Sequence, residues 1–146
     1  MSRKVVMIGP AESCLDAVVR MQRAQVRHLP VVNRDGLLVG IVTDRALRHH
    51  LFTPRVFEAL GSTRVDVLLD GVRVAEIMST DVMTVESGAS VGDAARTMRE
   101  HRVGSLPVMG DGRMVGIVTE VDMLRQIVRA DAPCSPECAE VIVPYP

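Results

Sequence analysis

The segment "HLPVVNRDGLLVGIVTDRAL" (28–47) returns as "SLPVMGDGRMVGIVTEVDML" (105–124). The likeness extends back to Val5 and Val82 at a constant offset of 77, which drops to 76 after the turn because "VNRDG" is one residue longer than "MGDG". Eight of twenty positions are identical between 13–32 and 90–109, and seven of ten between 35–44 and 111–120. A fixed-period copy of this length means that one supersecondary unit is built twice and that each unit buries its apolar face with the help of the other. Function is therefore to be sought between the copies.

Each copy opens with a short apolar run, "VVMI" or "VMTV". Ser13-x-x-Asp16 and Ser90-x-x-Asp93 follow, both in the capping-box pattern that starts a helix. Ala17, Val18, Met21 and Ala24, and then Ala94, Ala95 and Met98, recur at helical spacing and predict the buried stripes. Two apolar segments joined by an Asp-Gly turn predict a hairpin. Pro30 and Pro107 cannot donate to a ladder and belong at a strand edge or irregularity. "DRALRHHL" and "EVDMLRQIV" close the copies as helices, so the order is β-α-β-β-α, twice. Between them "TPRVFEALG" reads as a short helix with Thr53 as N-cap, and "VRVAEIM" (72–78) as a helical lead-in to the second copy. The resulting division is a first repeat over 1–52, a linker over 53–71, a second repeat over 72–130 and a tail over 131–146.

The chain of 146 residues is long enough for one shared core. Seventeen Lys and Arg stand against eighteen Asp and Glu, without like-charge blocks, and aromatics are nearly absent. That balance supplies neither the basic footprint nor the stacking platforms of a nucleic-acid binder. The longest apolar runs are about six residues, too short to span a bilayer, and the N-terminus lacks a signal-peptide core, so no membrane association and a cytoplasmic location are expected. Three cysteines argue against a disulfide framework. Cys134 and Cys138 in the tail lack two further ligands for a metal, and no metal site is expected. No nucleophile elbow, phosphate loop or other catalytic set is present, which points away from an enzyme.

The ordered pattern of a hydrophobic-Pro-Val segment, an Asp-Gly turn, Gly-hydrophobic-hydrophobic-Thr and a helix, present twice and with "VAEIMSTDVMTV" leading the second copy, resembles the CBS domain family. The likeness covers nearly all of residues 4–130. It implies a mixed α/β (α+β) fold of two tandem βαββα repeats packed about a pseudo-twofold axis, often called a Bateman module. It also implies clefts between the repeats that take adenosine-containing ligands such as AMP, ADP, ATP or S-adenosylmethionine, with further pairing into homodimers. No cofactor is required; the adenine nucleotide acts as a regulatory ligand.

The residues themselves suit such a ligand. Thr119 at a strand-to-helix junction presents a hydroxyl beside the unpaired N–H groups of a first helical turn, a setting that suits an anion. Asp122, three residues on, is able to accept two hydrogen bonds from a ribose diol. Thr119-x-x-Asp122 is also a capping box, with a purely structural use. The first copy keeps Thr43 but has Ala46 in place of the acid, so its cleft is expected to bind nucleotide more weakly. By the resemblance, the base-gripping segments are Met83, Thr84, Val103, Gly104, Ser105, Leu106 and Pro107 in the second copy. Their counterparts in the first are Met7, Val26, Arg27, His28, Leu29 and Pro30, where Arg27 and His28 add bulk. Arg45 and Arg27 are candidates for phosphate near the centre. Val121, Met123, Leu124, Ile127 and Val128 make the last helix apolar on more than one face, which predicts homodimerisation. The function expected is a stand-alone regulatory module that signals to an unidentified effector protein. The alternatives are a ligand-free dimeric scaffold and, more weakly, a metal- or redox-responsive switch built on Cys134 and Cys138.

Overall fold

A computed structural model describes residues 5–51 and 65–130. The first copy contributes α1 (Cys14–Ala24), β1 (His28–Val32), β2 (Leu38–Thr43) and α2 (Asp44–Leu51). Two short helices follow, α3 (Val65–Asp70) and α4 (Val74–Ile77). The second copy contributes β3 (Val85–Glu86), α5 (Val91–His101), β4 (Ser105–Gly110), β5 (Arg113–Thr119) and α6 (Glu120–Ala130). The expected helix at 53–61, the tail and Cys134 and Cys138 lie outside the described residues.

The full capping box forms at Ser13, and at Ser90 the serine caps the helix without the return bond from its own N–H. The Ser13 hydroxyl accepts from Asp16 N at 3.1 Å while the Asp16 carboxylate accepts from Ser13 N at 3.2 Å. The Ser90 hydroxyl likewise accepts from Asp93 N at 3.0 Å. Each serine hydroxyl also donates to the carboxylate, at 2.9 Å to Asp16 and 2.7 Å to Asp93, and this bond is the largest cause that holds both carboxyls below the usual Asp range. Both helices end on a left-handed residue that is not glycine, Gln25 at φ 56° and Arg102 at φ 54°, at matching places in the copies. The stripes match in part: Ala17, Met21, Ala94 and Met98 are buried, Val18 and Ala24 are half-buried, and Ala95 is exposed.

The hairpins pair antiparallel, Pro30 opposite Ile41 and Pro107 opposite Ile117. Asp111 and Gly112 both take positive φ, 51° and 74°, as the tight mirror-image turn demands. The longer first loop is closed differently. The Asn33 side-chain oxygen accepts from Asp35 N at 3.0 Å and Leu37 N at 2.9 Å, which accommodates the additional residue.

The prolines sit within strands rather than at their ends, and they explain why the opening strands are so short. Ile8 N donates to Pro30 O at 3.1 Å and Val32 N donates to Ile8 O at 2.9 Å, a parallel bridge. The next rung upstream would need an N–H on Pro30, which proline lacks. The expected strand "VVMI" therefore contracts to one bridge at Ile8, and "VMTV" to the two-residue β3, whose Val85 pairs with Val108 beside Pro107.

The lead-in segment joins the first copy, although it precedes the second. Cys14 N donates to Val72 O at 2.8 Å, Val74 N to Glu12 O at 2.9 Å and Ala75 N to Pro10 O at 3.0 Å. Ile41 and Ser79 exchange two backbone bonds of 2.9 Å each, which pairs the outer edge of β2. Leu69 and Val74 are buried in the larger cluster with Ile8, Cys14, Ala17, Met21, Leu29, Val31, Val42 and Leu47. The second cluster has only Ala94, Met98 and Leu106 fully buried. Two similar units thus carry unequal cores among the described residues.

Candidate functional site

Thr119 ends β5, and Asp122 stands in the first turn of α6. The Asp122 carboxylate accepts from Thr119 N and from the Thr119 hydroxyl, each at 3.0 Å, and Asp122 N donates to that hydroxyl at 3.4 Å. The structural use of the pair is thus realised. Its side chain keeps only 15% of its surface, and Arg125 Nη1 lies 3.9 Å from the second carboxylate oxygen. At the matching junction of the first copy, Thr43 Oγ1 accepts from Ala46 N at 3.1 Å, a cap without a carboxylate.

Thr119 and Asp122 line a groove of about 890 Å³. Its other wall comes from the first copy: Val5 and Val6, the end of α1 with Arg20, Arg23 and Ala24, and the segment Gln25 to His28. Gly104, Ile117, Glu120, Val121 and Arg125 complete the side contributed by the second copy. The capped helix start of one repeat therefore faces the pre-strand segment of the other. Two backbone bonds anchor the junction, Asp44 N to Arg27 O at 3.0 Å and Glu120 N to Gly104 O at 3.1 Å. Each fastens the start of a closing helix to the segment just before the hairpin of its own copy.

The residues expected to act together are divided by this arrangement. Thr119, Asp122, Gly104 and His28 share the groove. Met83 and Val103 are half-buried against the second core, and Ser105, Leu106 and Pro107 are buried in β4. Thr84 lines a separate cavity of about 410 Å³, with Leu37, Leu38, Val39, Thr80, Val82, Met109 and Gly112. Thr43 is half-buried and Arg45 exposed, neither of them on the groove. Of the first copy's base-gripping counterparts, Val26, Arg27 and His28 line the groove, whereas Leu29 and Pro30 are buried in β1. Met7 is exposed, and its carbonyl accepts from Arg20 at 2.7 Å. The groove residues not singled out from sequence, Val5, Val6, Arg20, Arg23 and Arg125, carry no motif. The one available signal was the pseudo-twofold itself, which sets each copy's helix start against its neighbour.

His28 is half-buried in the groove wall. Burial, the largest effect, together with Arg27 pushes its pKa below the ordinary histidine value, and Glu120 and Asp44 only partly oppose this. The imidazole is therefore neutral at pH 7. Among the described residues, no group of three or more His, Cys, Asp or Glu is placed to hold a metal ion, and no helix is long and apolar enough to cross a membrane.

The CBS domain family model matches residues 1–53 and 74–129. The chain belongs to the CBS domain family. It is a CBS pair, with one match in each copy. A CBS domain-containing protein of Dictyostelium discoideum is 34% identical over 139 residues, which is 94% of each chain. Hypoxic response protein 1 of Mycobacterium tuberculosis is 28% identical over 127 residues, covering 87% of this chain and 81% of that protein. Some relatives are much longer: the chain spans only 25% of a Methanocaldococcus jannaschii protein with which it shares 33% identity over 116 residues. A CBS domain pair solved in complex with 5′-methylthioadenosine and S-adenosylmethionine is similar at a TM-score of 0.71 and 26% identity, with 89% of this chain and 93% of that chain covered. Hypoxic Response Protein I, solved with two coordinated zinc ions, is similar at a TM-score of 0.67 and 27% identity, with 86% and 92% covered.

Proposed function

We propose that this CBS pair is a regulatory module, not an enzyme, that takes an adenosine-containing ligand in the groove between its repeats and passes the bound state to a partner protein in the cytoplasm. The observation that carries this reading is the sharing of one 890 Å³ groove by Thr119 and Asp122 of the second repeat and Val26 to His28 of the first. Its size falls within the roughly 300–1,000 Å³ usual for small-molecule sites. The likeness to a CBS pair solved with adenosyl ligands supports the same chemistry.

In this reading Asp122 accepts from the ribose diol, and Thr119 borders the sugar. The apolar wall of Val5, Val6 and Val26 receives the base. A ligand that touches both repeats favours one relative arrangement of them, by no more than its difference in affinity for the two arrangements. The second cleft, near Thr43 and Ala46, lacks the acid and binds more weakly. The exposed apolar face of α6 pairs with a second copy of the chain.

Thermal melting of the full chain with AMP, ATP, S-adenosylmethionine and 5′-methylthioadenosine tests the reading, since a ligand that binds only the folded state raises the Tm. At least one should raise it, and Asp122→Ala should remove the shift while costing about 0.5–2 kcal/mol of unliganded stability as a lost cap. If none of the four moves the Tm of the wild-type chain, the ligand-free scaffold is the correct account.

A further inference from the structure

The charge lining the groove discriminates among the adenosyl ligands. Four arginines, Arg20, Arg23, Arg27 and Arg125, stand on it against two carboxylates, Glu120 and Asp122, a formal surplus of two positive charges. The arginines are not equivalent. Arg20 is committed to structure: its guanidinium donates to Met7 O at 2.7 Å and pairs with Glu12. Arg125 leans towards Asp122 from 3.9 Å and keeps 68% of its side-chain surface. Arg23 and Arg27 are exposed, and neither side chain has a hydrogen bond or ion pair among the described residues. Of the two carboxylates, Asp122 accepts from Thr119 and is approached by Arg125. Glu120 is exposed, and the His28 it acts on is neutral. With Arg23 and Arg27 set against Glu120 alone, the uncommitted charge of the groove is positive by one.

We propose, building on the reading of this groove as the adenosyl site, that it selects phosphorylated ligands and rejects the sulfonium one, with Arg23, Arg27 and Arg125 as the residues that set the choice. A phosphate offers several anionic oxygens to guanidinium forks, which bind it with paired, charge-assisted hydrogen bonds. S-Adenosylmethionine brings a sulfonium and an ammonium with a single carboxylate, a net positive charge that meets like charge in the groove. 5′-Methylthioadenosine and adenosine bring no charge and leave the arginines without a partner. The arrangement also divides the labour between repeats. Arg23 and Arg27 hold the phosphate end from the first repeat, and Thr119 and Asp122 hold the sugar from the second. Because the arginines are exposed, their attraction is screened by salt.

Titration calorimetry of the full chain with ATP, AMP, adenosine and S-adenosylmethionine, at low and at physiological salt, tests the proposal. ATP and AMP should bind at least tenfold more tightly than adenosine or S-adenosylmethionine, and their affinity should fall as salt rises. The double variant Arg23→Ala/Arg27→Ala should lose about tenfold to a hundredfold in ATP affinity, the worth of one or two charge-assisted bonds, with its unliganded Tm unmoved because both side chains are exposed. Equal binding of adenosine and ATP, tighter binding of S-adenosylmethionine, or an ATP affinity unaffected by the double variant would each overturn the selectivity while leaving the adenosyl site standing. Failure of all four ligands to bind would overturn both.

Discussion

His28 Nε2 stands 3.4 Å from the point that a Cβ on Gly104 would occupy. The two positions are near-counterparts in the copies, so an imidazole of the first repeat comes within van der Waals reach of a place where the second repeat has no side chain. That imidazole is placed among Glu120, Arg27 and Asp44, and burial outweighs the two carboxylates in setting its pKa below the ordinary value.

A pH dependence of stability follows. The unfolded chain protonates His28 near pH 6.5, whereas the folded chain resists protonation to lower pH. Above that value both states are neutral and the full stability is present. It is lost as the pH falls from about 6.5 through the folded pKa, because the unfolded state then binds more protons. Denaturant melts between pH 7.5 and 5 should show the decline, and His28→Asn should flatten it. A variant that declines as steeply as the wild type would place the effect elsewhere.

The caps are unequal and should melt unequally. Ser13 is 3% exposed and makes the reciprocal box, whereas Ser90 is exposed and caps without the return bond from its own N–H. Ser13→Ala should therefore cost about 1–2 kcal/mol and Ser90→Ala about 0.5–1 kcal/mol, as read from urea midpoints.

Gly40 is required by a close approach rather than by its dihedral angles. A Cβ there would sit 2.6 Å from Met78 Sδ and 3.0 Å from Ser79 O, where the lead-in segment crosses β2. Gly40→Ala should destabilise by about 1–3 kcal/mol through overpacking. Gly88→Ala, with nothing within 4 Å of the added carbon, should be close to neutral in the same melt.

The apolar face of α6 predicts association. Val121, Leu124, Ile127 and Val128 are 54%, 60%, 61% and 78% exposed, a contiguous patch of the kind that marks an interface. Sedimentation velocity should give a dimer for the wild type, and Leu124→Glu/Ile127→Glu should give a folded monomer. A wild-type monomer at all accessible concentrations would remove the dimer from the functional account.

Much of the molecule is legible along the chain because it is decided by neighbours in sequence. Ser13 and Ser90 find their aspartates three residues away, and Asp111-Gly112 turns its hairpin through two residues of positive φ. The 77-residue period exposes the duplication without any coordinate. Thr119 and Asp122 were likewise legible as a pair, since a capping box is local. What local reasoning does not reach is the company they keep across the fold. Gly104 of their own repeat borders the same groove, and Val26, Arg27 and His28 of the other repeat line its far wall.

The same division holds for the core. Periodicity marked Ala17, Met21, Ala94 and Met98 as buried, because a helix repeats its inward face every three or four residues. It carried no sign that Leu69 and Val74, written ahead of the second copy, pack into the first. Sequence alone thus determined that one βαββα unit is built twice, where the helices after Ser13 and Ser90 start and where each hairpin turns, all set by hydrogen bonds spanning a few residues; it gave no sign of the helix Val65–Asp70. Only tertiary structure decided which faces of the two units meet, because that choice depends on burying apolar surface between residues far apart in the chain. That docking also brought the arginines Arg23 and Arg27 to the groove of Thr119 and Asp122.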